Sequence, residues 1–153
     1  TESREVKVSL SAVKDVVFQV SQEKWKLIIG MGVSKSKKVR LERIALNFIH
    51  SSLPDVDNIL HTHQRIVPHG PIAVESKLPV VEIVSSLENE HPIEVSYFAG
   101  TYLCNALFYM LTQNIYDALT GFIHVVPEIE IPLETQAKII EKVISLAKKI
   151  YIR

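Results

Sequence analysis

The chain has 153 residues, 47% apolar and 22% charged, with 17 Lys and Arg balanced by 17 Asp and Glu. That length suits one domain with a sizeable core, and the charge balance gives no electrostatic case for nucleic acid or an anionic membrane as partner. One cysteine forms no internal disulfide, no apolar run reaches the ~20 residues of a membrane span, and the polar opening TESREVKVS lacks a signal-peptide core, so a cytoplasmic location is expected.

The segment REVKVS (4–9) reads as a short strand, followed by a helical stripe at Leu10, Val13, Val16, Val17 and Val20. Next, WKLIIGMGV (Trp25 to Val33) is a continuous apolar run ending in glycines, which predicts a buried strand feeding a loop. The basic piece SKSKK (Ser34 to Lys38) reads as a solvated turn. In VRLERIALNFIH (Val39 to His50) the apolar positions 39, 41, 44, 46 and 48 lean towards a strand with one irregularity. From Ser51 to Pro71 the composition shifts to Pro, Asp, Asn and His, which predicts a long surface excursion.

Helical spacing resumes over Ser76 to Leu87, with Pro79 in the first turn, until His91 and Pro92 break it. IEVSYF is then a strand, a helix carries Cys104, GFIHVV from Gly121 is a strand, and a helix closes the chain. In that last helix the apolar residues Leu133, Ala137, Ile140, Ile144, Ala147 and Tyr151 step by four and three, which predicts the face laid on the core. Buried strands alternating with helices predict a single domain over 1–153. Its expected form is an α/β sandwich with a mainly parallel central sheet flanked by helices. Sites in such sheets form at the carboxyl ends of strands.

Cys104 follows a strand and a glycine turn, at the start of a helix. A lone cysteine is commonly a small core residue, whereas a helix N-terminus favours a thiolate and makes a nucleophile. A cysteine nucleophile needs a base, and the base needs a third group to orient it. His124, in the apolar strand 20 residues further on, is the suggestive base, because a buried imidazole is costly without a partner; a satisfied structural histidine is the other reading. Glu42 interrupts a semi-apolar stretch and is a candidate for the third group, or an exposed partner of Arg40 or Arg43. His61 and His63 could share a zinc ion, but no third ligand recurs at a recognised spacing. With His69 they read as surface residues, so neither metal nor cofactor is expected.

LERIALN, AGTYLCNALFYML and GFIHVVPEI together resemble the glutamate, cysteine and histidine motifs of the pyroglutamyl peptidase I (pyrrolidone carboxyl peptidase) family of cysteine peptidases. The order Glu, Cys, His is the family's, and SLPDVDN and IVPHGP are similar to its loops. The resemblance runs from about Val6 into the closing helix. It implies a three-layer phosphorylase/hydrolase-like fold and a peptidase that removes N-terminal pyroglutamate from peptides. It further implies Cys104 as nucleophile, His124 as base and then acid, and Glu42 holding the His124 ring. Relatives of this kind are often homo-oligomers.

The chain also departs from the family pattern. Nothing resembles the GFEPFGG loop whose aromatic side chains enclose the pyroglutamate ring, so a chain shortened at its N-terminus is expected. Ser52 stands where the family has an arginine that assists the oxyanion, and Val126 replaces a proline two residues after the histidine. Two functions are therefore carried forward: a cysteine exopeptidase of low turnover, or a non-catalytic homologue that keeps the fold without a working substrate pocket.

Overall fold

The apolar run after Trp25 forms β1 (Leu27–Val33), and GFIHVV belongs to β6 (Leu119–Val125), its parallel neighbour over all seven residues. The computed structural model describes residues 1–151. β6 also pairs antiparallel with β2 (Val39–Glu42), and β2 pairs parallel with β5 (Ile93–Ser96). The four-stranded order is thus β1-β6-β2-β5, mainly parallel as the apolar runs predict. A separate antiparallel pair joins β3 (Ile44–Leu46) to β4 (Ala73–Glu75). The irregularity in Val39 to His50 is Arg43, where β2 ends and β3 begins in a second sheet.

Among the described residues four helices cover the two faces, α1 (Leu10–Ser21), α2 (Val80–Leu87), α3 (Leu103–Asn114) and α4 (Leu133–Tyr151). α1 and α3 share one cluster with Phe122, Ala45 and Ile49. α2 and α4 share the other with Val39, Leu41, Ile93 and Ile123. Strand alternation explains the split, since successive side chains point to opposite faces. Phe122 and His124 face α3, while Ile123 and Val125 face α4. None of these helices is long and apolar enough to cross a membrane.

Three expectations change. REVKVS is not a strand: it is irregular, bends at Val8 and Ser9, has no ladder partner among the described residues, and is held by Val56 N–H donating to Val8 O (3.1 Å) and by Arg4 pairing with Glu2 and Glu23. The helix expected from Ser76 begins at Val80, because Pro79 sits at its N-cap rather than inside its first turn. In α4 the buried line is Gln136, Ile139, Val143 and Ala147, while Leu133 and Tyr151 are exposed.

Candidate active site

β2 and β6 run antiparallel with Arg40 opposite His124, so Glu42, two residues on, is a diagonal neighbour of His124 on the same face. Glu42 is fully buried and His124 is 6% exposed. The imidazole Nδ1 and Glu42 Oε1 are 2.7 Å apart, and Oε2 has no hydrogen-bond partner. Arg40 and Arg43, the neighbours that offered Glu42 a surface role, pair instead with Glu94 and Glu75. Among the described residues the carboxylate therefore has one hydrogen-bond partner, the His124 ring. A buried carboxylate in that position is costly unless the ring carries positive charge.

Cys104 is the second residue of α3, half-buried, and its thiol faces the same imidazole. Burial pushes the His124 imidazolium down, but the adjacent Cys104 thiol and the Glu42 carboxylate outweigh it, and the ring is pushed up to about 9. The structure thus brings Glu42, His124 and Cys104 together in that order, on the face of the sheet covered by α3. Phe122 packs a tilted ring 4.9 Å from the His124 ring and helps to fix its plane.

The turn before Cys104 contains Gly100 at φ +87°, a backbone region that favours glycine. It is held to the chain beyond β3: His50 N–H donates to Thr101 O (2.8 Å), and the Thr101 hydroxyl donates to His50 O (3.2 Å). The first helical hydrogen bond of α3 runs from Ala106 N–H to Tyr102 O. The N–H groups of Leu103, Cys104 and Asn105 therefore have no intrahelical acceptor. They point out of the helix start that carries the thiol, where negative charge is favoured.

Sequence reasoning missed one residue of the site. Gly32 lies opposite His124 in the β1–β6 register, and a Cβ placed on it would come within 2.5 Å of Cys104 Sγ. The visible signal was only a glycine inside an apolar strand, which marks close approach of something unspecified.

Other candidates lie elsewhere. Ser52 is exposed on the excursion after β3. Val126 is buried, and its N–H, which a proline would lack, donates to Gln136 Oε1 (2.9 Å). His63 and His69 are exposed as expected, but His61 is buried, contrary to the surface reading. It pairs with Asp55 at 2.9 Å, and that contact is what makes its burial tolerable. Among the described residues no group of three or more His, Cys, Asp or Glu could hold a metal ion.

Comparison with known proteins places the chain. The sequence profile described as pyroglutamyl peptidase matches residues 1–152. A pyrrolidone-carboxylate peptidase of Saccharolobus islandicus is 34% identical over 114 residues, which cover 72% of this chain and 54% of the relative. That of Pyrococcus furiosus is 33% identical over 134 residues, covering 82% of this chain and 64% of the relative. The chain thus spans little more than half the length of the curated relatives it matches. The solved structure of pyrrolidone carboxyl peptidase from Thermococcus litoralis superposes with a TM-score of 0.86 at 25% identity, over 97% of this chain and 82% of that one. A mutant of the Pyrococcus furiosus enzyme superposes with a TM-score of 0.87 at 27% identity, over 94% and 79%. With a profile match that runs almost end to end and the same fold over nearly the whole chain, the chain belongs to the pyroglutamyl peptidase family.

Proposed function

We propose that this chain is a cysteine exopeptidase that removes N-terminal pyroglutamate from peptides, with Cys104, His124 and Glu42 as its catalytic triad. The observation that carries this reading is the fully buried Glu42 carboxylate 2.7 Å from the His124 ring, beside the one thiol of the chain. His124 takes the Cys104 proton on Nε2, because Nδ1 is engaged by Glu42. The thiolate then adds to the acyl carbonyl that joins pyroglutamate to the next residue, and the carbonyl electron pair moves to oxygen. Free N–H groups at the start of α3 receive that oxyanion. On collapse His124 protonates the leaving amine, and water hydrolyses the thioester in a second round through the same base.

The test is hydrolysis of a pyroglutamyl-aminomethylcoumarin reporter together with mass detection of the acyl-enzyme. Cys104→Ala is expected to abolish both, and Glu42→Gln to lower turnover by ~10²-fold or more while the chain stays folded. Turnover that survives Cys104→Ala would remove this reading. The competing account is the non-catalytic homologue. It keeps the fold and the three residues without a working substrate pocket; neither the cavity of about 140 Å³ beside Trp25 and Tyr116 nor that of about 260 Å³ beside Lys26 and Tyr151 touches those residues. Absence of any acyl-enzyme with activated pyroglutamyl esters would favour it.

A further inference from the structure

The start of α3 is not fixed by its own sequence. Tyr102 at the N-cap offers no side-chain cap, and the turn ahead of it passes through Gly100 at positive φ. A helix end of this kind frays unless something outside it supplies the constraint. Here the constraint comes from the residue after the nucleophile. Asn105 is fully buried, and both polar atoms of its side chain are engaged by the chain that leaves Glu42. Its Oδ1 accepts from Leu46 N–H (2.9 Å), and its Nδ2 donates to Leu46 O (2.8 Å) and to Phe48 O (3.1 Å). The side-chain amide thus pairs with Leu46 as a neighbouring peptide unit would, extending β3 on the side turned towards α3.

We propose that Asn105 is a positioning residue. Its amide locks the Cys104 turn of α3 onto the segment that continues from Glu42, and so sets the thiol and the free N–H groups of the helix start against the His124 ring. Thr101 adds a second tie to the same segment, at His50, on the other side of Cys104. Nucleophile and orienting carboxylate come from different elements, 62 positions apart in the sequence. The Asn105 clamp converts that separation into a fixed short path, since Leu46 lies only four positions beyond Glu42. The proposal rests on the proposed peptidase reading for its consequence, but not for its geometry. Misplacement by about 1 Å is enough to cost on the order of 10²-fold in a reaction of this type.

The experiment uses the full chain and four variants: Asn105→Ala, Asn105→Asp, His124→Ala and, as a control, Val143→Ala, a core truncation on α4 against the other face of the sheet. Circular dichroism and urea unfolding report folding. The first readout is the rate of iodoacetamide alkylation of Cys104 against pH; as the sole cysteine it is unambiguous by mass. The second is affinity for 5-oxoprolinal, the aldehyde of pyroglutamate. The thiolate adds to its carbonyl carbon, the oxygen takes the electron pair, and His124 returns the proton to give a hemithioacetal.

Asn105→Ala is expected to slow alkylation about tenfold and to move its pH profile towards that of His124→Ala. Affinity for the aldehyde should fall further than the alkylation rate, because the aldehyde oxygen also needs the helix N–H groups. Val143→Ala should alkylate as the wild type does. If folded Asn105 variants keep the wild-type rate and profile, the proposal is overturned. Should Asn105→Ala not fold, Asn105→Asp, which keeps the acceptor for Leu46 N–H, decides; loss of folding in both would assign the amide to stability instead. A wild type that forms no hemithioacetal, while alkylation still slows in Asn105→Ala, would sink the peptidase reading and leave the clamp standing.

Discussion

At Gly32 a hydrogen atom is all that fits between β1 and the Cys104 thiol. Gly32→Ala would drive a methyl into Sγ at 2.5 Å and also crowd the Phe122 ring at 3.3 Å. Its expected effect is loss of at least tenfold in Cys104 alkylation, with the fold retained by circular dichroism; an unchanged rate would mean that the thiol has another place to go. The His124 ring gives a second residue-scale prediction, with a definite sign. Its folded pKa, about 9, lies above the 6.5 of an unperturbed histidine. The imidazolium therefore contributes stability that is full below pH 6.5 and is lost as pH rises through 9. The urea midpoint of the wild type relative to His124→Gln should be constant below 6.5 and fall between 6.5 and 9. Of the site, the residue types and chain order of Glu42, Cys104 and His124 were legible, because motifs record them. The burial of Glu42 was not, because flanking Arg40 and Arg43 make a solvated ion pair the stronger reading of that stretch alone, whereas in the fold they pair with Glu94 and Glu75.

Elements show the same division between pattern and partner. The existence of α4 followed from its periodicity, but the face it buries did not, because two apolar stripes lie one position apart on it. The stripe through Ile139, Val143 and Ala147 is fully buried, whereas Leu133 is exposed and Ile140 and Ile144 only half so. Ile139→Ala should therefore cost about 2–5 kcal/mol, and Leu133→Ala no more than about 0.5, both read from urea unfolding. Equal effects would mean that the helix is rotated. REVKVS shows the converse: a strand pattern makes a strand only where another edge accepts its hydrogen bonds. The excursion from Ser51 was legible as a loop, but not as an ordered one. Asp55 organises it, accepting from Asp57 N–H, Ile59 N–H and Leu10 N–H and pairing with His61. The His61 hydrogen bond, opposed by desolvation and helped by those backbone N–H groups, holds the Asp55 carboxyl below its ordinary 3.8. That contribution is full above pH 3.8 and is lost as pH falls from there through the lowered value in the folded chain. Asp55→Ala should accordingly speed proteolytic cleavage within residues 51–61 at neutral pH, and the difference from the wild type should shrink as the pH is taken below 3.8.

On the scale of the whole molecule, the two edges of the central sheet differ in a way that bears on association. The β5 edge is four residues long and carries Glu94, paired with Arg40. Short, charged edges resist pairing with other chains. The β1 edge is seven residues of LIIGMGV with no charge and no proline, and Met31 and Val33 on it are 51% and 67% exposed. No strand pairs with its outer side among the described residues. A second copy is a natural partner for such an edge, since two-fold pairing is the commonest way for identical chains to associate. Antiparallel pairing centred on Gly30 would set Met31 against Ile29 of the other copy and Val33 against Leu27. The exposed half of each strand would then cover the half-buried half of the other, on the face shared with α4. The expected outcome is a sedimentation mass that rises with concentration in the wild type and stays monomeric in Met31→Lys, which puts a charge on the pairing edge without touching Gly32. A wild type that sediments as a concentration-independent monomer would show that this edge is closed by something other than a second copy.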